Sequence, residues 1–272
     1  MHPVLFSILG WPVRSYVVMI LVGIIASTAT GILLARRRAF PMLPYITLIM
    51  FSLVVGMIGA KLYNFLLHLV SRRATSAAGG EGFFSQVQSA WKYSGESFIG
   101  MIIAFGLFGL WYIHRIGLPR WATADVVVVG FPLGQAVVRV GCFLNGCCYG
   151  RPTDSFLGVV FPGRSGPVHP AQLYELVGDL AIFGILLAVV FRKKFDGQIC
   201  GLYLMLYAVV RFVVEYFRGD AGRGFLITGP TPWLSLSLPQ AWAFVGFLSG
   251  IGIYLHRRRA AVLWPKAADL KS

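Results

Sequence analysis

Long, nearly charge-free apolar runs recur seven times along this 272-residue chain, near residues 16–35, 44–69, 97–114, 123–139, 173–191, 198–217 and 239–256. About 20 such residues cross a bilayer core of roughly 30 Å as a helix. Only helices and closed barrels satisfy every backbone polar group in hydrocarbon, and a barrel needs short segments of alternating polarity. These runs are continuous, so the expected fold is an all-α integral membrane protein, a bundle of about seven transmembrane helices. A composition of 57% hydrophobic and 12% charged residues, with a mean hydropathy of +0.74, agrees. The fourth run is short and leads from Asp125 into a glycine-rich segment, whereas the second is long enough to tilt or to emerge from the membrane. Pro3, Pro12 and Arg14 precede the first run without a small-residue cleavage pattern, so that run reads as a retained helix.

Basic residues set an expected orientation. Arg36, Arg37 and Arg38 follow the first run, Arg115 and Arg120 the third, Arg192, Lys193 and Lys194 the fifth, and Arg257, Arg258 and Arg259 the seventh. The positive-inside rule places those loops in the cytoplasm, with the N-terminus outside and the C-terminus inside; Arg72 and Arg73 dissent mildly. The net charge of +14 is then mainly a topology signal and an attraction to anionic head groups. No basic and aromatic nucleic-acid pattern accompanies it, so no nucleic-acid partner is expected. The whole chain, 1–272, reads as a single transmembrane domain whose outer loops, 70–96, 140–172 and 218–238, form a head or cap.

In this orientation the polar residues gather at the outer half. Tyr16 opens the first run, RVGCFLNGCCYGR spans Arg139 to Arg151, His169 to Glu175 opens the fifth run, and Arg211, Glu215, Arg218 and Asp220 close the sixth. Tyr207, Arg211 and Glu215 are four residues apart and share one helix face. Arg211 and Glu215 form either an ion pair that orients the helix or part of an anion site, in which the planar guanidinium fork matches phosphate oxygens. Charges inside spans usually mark substrate or ion paths, which favours the site. Gly141, Gly146 and Gly150 either pack helices closely or let the backbone turn N–H groups toward an anion between Arg139 and Arg151.

Several motifs, in order, are HPVLFSILGWPVRSY at 2–16, GAKLY at 59–63, Asp125, GQAVVRVGCFLNGCCYGR at 134–151, HPAQLYE at 169–175 and YAVVRFVVEYFRGD at 207–220. Together they resemble the prolipoprotein diacylglyceryl transferases of bacterial inner membranes. The resemblance implies a multi-pass, seven-helix enzyme that moves a diacylglyceryl group from phosphatidylglycerol to the thiol of a prolipoprotein lipobox cysteine. Its expected partners are phosphatidylglycerol, the lipobox segment and membrane lipids, with no metal or soluble cofactor. By matching positions, Arg139, Asn145 and Gly150 belong to the signature segment, and Tyr16, Tyr207, Arg211 and Glu215 to the essential cluster. Arg139 and Arg211 would hold the donor phosphate and Glu215 and Tyr207 would organise them. Tyr16, Asn145 and Gly146 would shape the head-group pocket, with Arg151, Arg218 and Tyr174 assisting.

The chain departs from the family pattern at several places. Ile99, Gly100 and Met101 stand where a histidine and two glycines are usual, and His169 is the nearest candidate replacement for the missing base. Cys142 replaces an asparagine, Cys147 a glutamate and Val138 a glycine. These mark a divergent branch, whose donor lipid or acceptor is open to change.

Two rival readings use the same residues. Cys142, Cys147 and Cys148, near the oxidising face, suggest a disulfide or a redox pair; adjacent cysteines make poor tetrahedral zinc ligands, and no histidine pair stands at zinc spacing. A carrier of anionic lipid would use the arginines without chemistry, although no inverted repeat supports it. Gly23, Gly31, Gly106 and Gly109 read as helix-packing contacts.

Overall fold

The structure is a computed structural model, described over residues 2–8, 11–75, 84, 98–219, 225–227, 229, 231 and 235–263. Among these, seven long helices follow the apolar runs: α1 Ser15–Arg37, α2 Met42–Thr75, α3 Phe98–Ile116, α4 Arg120–Asn145, α5 Ala171–Val190, α6 Gln198–Glu215 and α7 Leu238–Leu263. Six are long and apolar enough to cross a membrane, and α3 supplies a shorter apolar stretch, Gly100–Ile116. The protein is thus a multi-pass, all-helical membrane protein, and the strands among the described residues are short pairs beside the helices. The strands are β1 Val4–Ile8 with β2 Trp11–Arg14, and β3 Phe225–Ile227 with β4 Leu236–Ser237. The first pair, an antiparallel hairpin ahead of α1, is invisible to a search for helix-length apolar runs.

The chain divides into two compact units. One, residues 35–120, contains α2 and α3, where Gly59 and Gly100 lie back to back: a Cβ on Gly59 would stand 2.8 Å from the Gly100 carbonyl oxygen. Gly109 has ordinary contacts to Ser52 and Leu48, while Gly106 meets nothing within 4 Å.

The other unit, residues 1–34 and 121–272, carries the polar motifs. Here α1 crosses α4 at Gly23 and Gly134; a Cβ on Gly134 would stand 3.0 Å from the Gly23 carbonyl oxygen. Such backbone approach is how membrane helices gain packing when lipid is as apolar as their side chains. Farther along, Gly141 accommodates Met19 and the Cα of Tyr16.

Helix α4 runs beyond the expected limit at residue 139, so the loop expected from residue 140 begins after Asn145. Nothing before Gly146 breaks the helix, whose stop is a left-handed Gly146 (φ 70°). Its N–H reaches the Phe143 carbonyl at 3.1 Å and the Cys147 N–H the Cys142 carbonyl at 3.1 Å. These are the two bonds of a glycine-terminated helix end. The following loop is pinned by reciprocal 3.0 Å bonds between Val159 and Val168. It is also held by fully buried Phe161, packed on Phe143 and Tyr149. Of the loop expected at 70–96, residues 70–75 continue α2, and the remainder except Phe84 lies outside the described residues, as do Asp220 and part of 218–238.

An arginine and carboxylate site on three helices

Helix α6 presents Tyr203, Tyr207, Arg211 and Glu215 along one stripe, as four-residue spacing requires. Tyr203 and Tyr207 stack with ring centroids 5.7 Å apart, and the Tyr203 hydroxyl donates to Gln135 Oε1 at 3.0 Å. At the far end Arg211 Nη2 pairs with Glu215 Oε2 at 2.9 Å, and Glu215 Oε1 accepts from the Ser237 hydroxyl at 3.1 Å. The expected partnership of Arg211 and Glu215 is therefore present, but Arg211 also faces a second carboxylate.

That carboxylate is Glu175, on the first turns of α5 and 1% exposed. Arg139 Nη2 donates to its Oε1 at 2.9 Å, Arg211 Nη1 stands 3.7 Å from the same oxygen, and Arg218 Nη1 stands 3.9 Å from its Oε2. Three guanidinium groups from α4, α6 and the segment after α6 thus converge on one buried carboxylate. Desolvating a lone carboxylate costs several kcal/mol, which the surrounding cations offset. Arg211 Nη1 is nevertheless buried without a hydrogen bond. A buried donor left unspent is costly, and an acceptor oxygen reaching it would lower that cost. Asp179, one turn beyond Glu175, is also buried.

The remaining arginines are set by backbone. Gly150 N–H bonds the His169 carbonyl at 2.7 Å, Arg151 N–H the Phe217 carbonyl at 2.8 Å, and His169 N–H the Arg151 carbonyl at 2.9 Å. A Cβ on Gly150 would stand 2.7 Å from His169 Cβ, which is why glycine occupies this crossing. Arg151 Nε donates to the Arg218 carbonyl at 2.9 Å. His169 Nδ1 is 3.0 Å from the Tyr174 hydroxyl, and both rings rest edge-on against Phe217. Burial pushes the His169 imidazole below its ordinary value. His169 and Tyr174 therefore brace the strap that carries Arg151 and Arg218.

The end of α4 meets α1 where Gly141 lies against Met19 and Tyr16. Tyr16 lies within electrostatic reach of Arg139 and of all three clustered cysteines. Asn145, the last residue of α4, is exposed, and Gln172 Nε2 donates to the Cys147 carbonyl at 2.5 Å. The cysteines are free thiols; the Sγ atoms of Cys142, Cys147 and Cys148 lie within 4.8 Å of one another. Hydrogen bonds from the Cys142 and Cys148 thiols hold the Cys147 thiol well below its ordinary range. Arg139 Nη1 is 4.0 Å from Cys142 Sγ.

One feature escaped the sequence reading. Glu175 figured only as the end of HPAQLYE, although a glutamate in an apolar run is itself a signal. Asp125, in contrast, belongs to the other end of α4. Its carboxylate accepts from Lys193 Nζ at 2.7 Å and from the Gly197 and Cys200 N–H groups at 2.8 and 3.0 Å. It anchors the start of α6. Fourteen helical residues, roughly 21 Å at 1.5 Å each, separate it from Arg139. Ile99 falls in α3, with its side chain outside the described residues.

Comparison with known proteins gives one consistent result. A profile of the family described as "Prolipoprotein diacylglyceryl transferase" matches residues 3–256. The chain is 31% identical over 265 residues to the phosphatidylglycerol–prolipoprotein diacylglyceryl transferase of Geobacter sulfurreducens, covering 94% of this chain and 96% of that one. It is 32% identical over 279 residues to the namesake from Chlorobaculum tepidum, covering 96% and 91%. To that of Clostridioides difficile it is 29% identical over 260 residues, covering 95% and 97%.

Proposed function

Because the chain belongs to the prolipoprotein diacylglyceryl transferase family, we propose that it transfers a diacylglyceryl group from phosphatidylglycerol to the lipobox cysteine thiol of a prolipoprotein in the bacterial inner membrane. The observation that carries this reading is the convergence of Arg139, Arg211 and Arg218 on Glu175, with Arg211 Nη1 buried and without a hydrogen bond. Transfer requires the bond between the glycerol carbon and the phosphate oxygen to break. The bonding pair leaves on glycerol phosphate, so negative charge grows on the phosphate in the transition state. Guanidinium groups already fixed in a water-poor site stabilise that charge without reorganising, which lowers the barrier.

In this reading Arg139 and Arg211 hold the donor phosphate, and Glu175 and Glu215 keep their forks aimed. Tyr207 lies within electrostatic reach of Glu175, Arg211 and Arg139 and completes the wall. Tyr16, Asn145 and Gly146 shape the head-group side. Gly150, Arg151, Arg218, His169 and Tyr174 hold the strap over it. The acceptor sulfur attacks as a thiolate, which a neighbouring positive charge favours. The N-terminus faces outward and the C-terminus the cytoplasm, in keeping with the basic residues after α1, α3, α5 and α7.

The test is direct. The purified protein in phosphatidylglycerol vesicles is given a lipobox peptide, and mass spectrometry reads the cysteine. A diacylglyceryl adduct that disappears in Arg211→Ala is the expected result. An intact lipid bound without an adduct, beside an active transferase of the same family, would replace the enzyme with a carrier.

A further inference from the structure

The three thiols at the end of α4 are not used by the anion site, yet the fold brings them together with some care. Cys142 is buried on the last turn of α4, while Cys147 and Cys148 follow the Gly146 helix stop and are half-buried. Cys148 has a left-handed backbone, φ 62°, which is uncommon for a residue with a side chain. With Gly146 also left-handed (φ 70°), the chain doubles back on the helix end. Cys147 Sγ thereby lies 3.7 Å from the Cys142 carbonyl. Adjacent cysteines are poor joint ligands on an ordinary backbone, and the left-handed Gly146 and Cys148 on either side of Cys147 depart from that backbone. All three Sγ atoms lie within 4.8 Å of one another. Zinc–sulfur bonds of about 2.3 Å in a tetrahedron place sulfurs about 3.8 Å apart, so only small rotamer adjustments separate the cluster from a three-thiolate cage.

We propose that Cys142, Cys147 and Cys148 bind one zinc ion, whose open fourth position takes the thiol of the acceptor cysteine. Three protein ligands with one open position is the pattern of catalytic rather than structural zinc. Three thiolates and Zn²⁺ sum to −1, and to −2 once the acceptor thiolate binds; the Arg139 guanidinium lies beside this charge, with its Nη1 4.0 Å from Cys142 Sγ. The same arginine grips the donor phosphate in the proposed function, on which this role rests, so acceptor sulfur and donor carbon are delivered to one place. Coordination deprotonates a thiol outright, and the proton passes to water. The bound sulfur then gives an electron pair to the glycerol carbon. The bond from carbon to phosphate oxygen breaks with its pair on the leaving glycerol phosphate, and the thioether, a neutral and weaker ligand, departs. Such activation supplies what a general base would otherwise supply.

The experiment uses the full-length protein, reduced and purified without chelator. Elemental analysis is expected to find about one zinc per chain. Replacement by Co²⁺ is expected to give thiolate charge-transfer absorption, and Cys147→Ser and Cys148→Ser to weaken binding at least about tenfold. Wild-type protein that holds no zinc under these conditions, or holds copper in its place, overturns the site. Because a variant can lose metal by misfolding, the wild type is also stripped with chelator and reloaded. A cysteine lipobox peptide is expected to shift the visible Co²⁺ bands and a serine peptide to leave them alone; identical responses overturn the acceptor role. Stripped protein that transfers at the undiminished rate overturns it as well. A cysteine-dependent shift with no adduct from phosphatidylglycerol would uphold the zinc site and refute the transferase reading instead.

Discussion

Arg139 and Glu175, 36 residues apart in sequence, are joined by a 2.9 Å hydrogen bond from Nη2 to Oε1. The same oxygen lies 3.7 Å from Arg211 Nη1. A single buried carboxylate therefore couples the helix that ends in the signature segment to the helix that carries the second donor arginine. Neither arginine can change its aim without disturbing the other.

Removing either arginine should abolish transfer. Arg139→Ala and Arg211→Ala are each expected to lose about 10²-fold or more in rate, the usual cost of one preorganised donor to a developing anion. Both proteins should still insert and elute as folded species. The check is the adduct assay run beside size-exclusion chromatography in detergent, and near-normal rates in either variant would remove it from the phosphate site.

Glu175→Gln should be damaging through stability as well as activity. It leaves Arg139, Arg211 and Arg218 facing a neutral amide in a buried setting, and breaking such a network from one side typically costs about 3–5 kcal/mol. Chemical unfolding in detergent measures this. A change under about 1 kcal/mol would mean that solvent rather than the carboxylate balances the arginines.

The contact between α1 and α4 predicts a sharp difference between two glycines. Gly134→Val places its Cβ 3.0 Å from the Gly23 carbonyl oxygen and is expected to cost about 1–3 kcal/mol as the helices are forced apart. Tyr16 and the signature segment would separate with them, so activity should fall. Gly184→Ala on α5 meets nothing within 4 Å and should be neutral or slightly stabilising. Thermal midpoints of the two variants give the comparison.

A pH effect follows from His169. Burial depresses its protonation in the folded chain relative to the ordinary histidine value of 6.5, so the unfolded chain binds the proton more readily. The stability this group contributes is present above that value and is lost as pH falls through the lower, folded one. The thermal midpoint should drop between about pH 7.5 and about pH 5.5, and drop less in His169→Gln. An equal drop in both proteins would assign the effect to other groups.

Asp125 should behave as a structural residue. Asp125→Asn weakens the Lys193 pair and the acceptor for the Gly197 and Cys200 N–H groups. It is expected to lower the thermal midpoint. Because the site lies at the far end of α4, protein that remains folded should keep its affinity for phosphatidylglycerol vesicles, measured by co-sedimentation.

Much of this was legible in the sequence because it depends on neighbours along the chain. The seven helices follow from apolar runs, because hydrocarbon admits only helices and closed barrels and these runs lack a barrel's alternation. The shared face of Tyr207, Arg211 and Glu215 follows from helical periodicity, and the family follows from motifs kept in order. The end of α4 was the exception: the polar residues after Arg139 suggested a loop, but the helix continues to Asn145 until Gly146 can adopt φ 70°.

Which charges meet is set by the packing of helices far apart in sequence. Glu175 acquires its place from three arginines 36, 36 and 43 residues away, distances over which no sequence periodicity reports. The gathering of Cys142 with Cys147 and Cys148 likewise depends on a reversal at the helix end, and the separation of Asp125 from the arginines on the length of α4. Local spacing fixes the face of a helix on which a side chain stands. The packing of that face against other helices fixes its partner, and in a low-dielectric interior the partner determines what a charge can do.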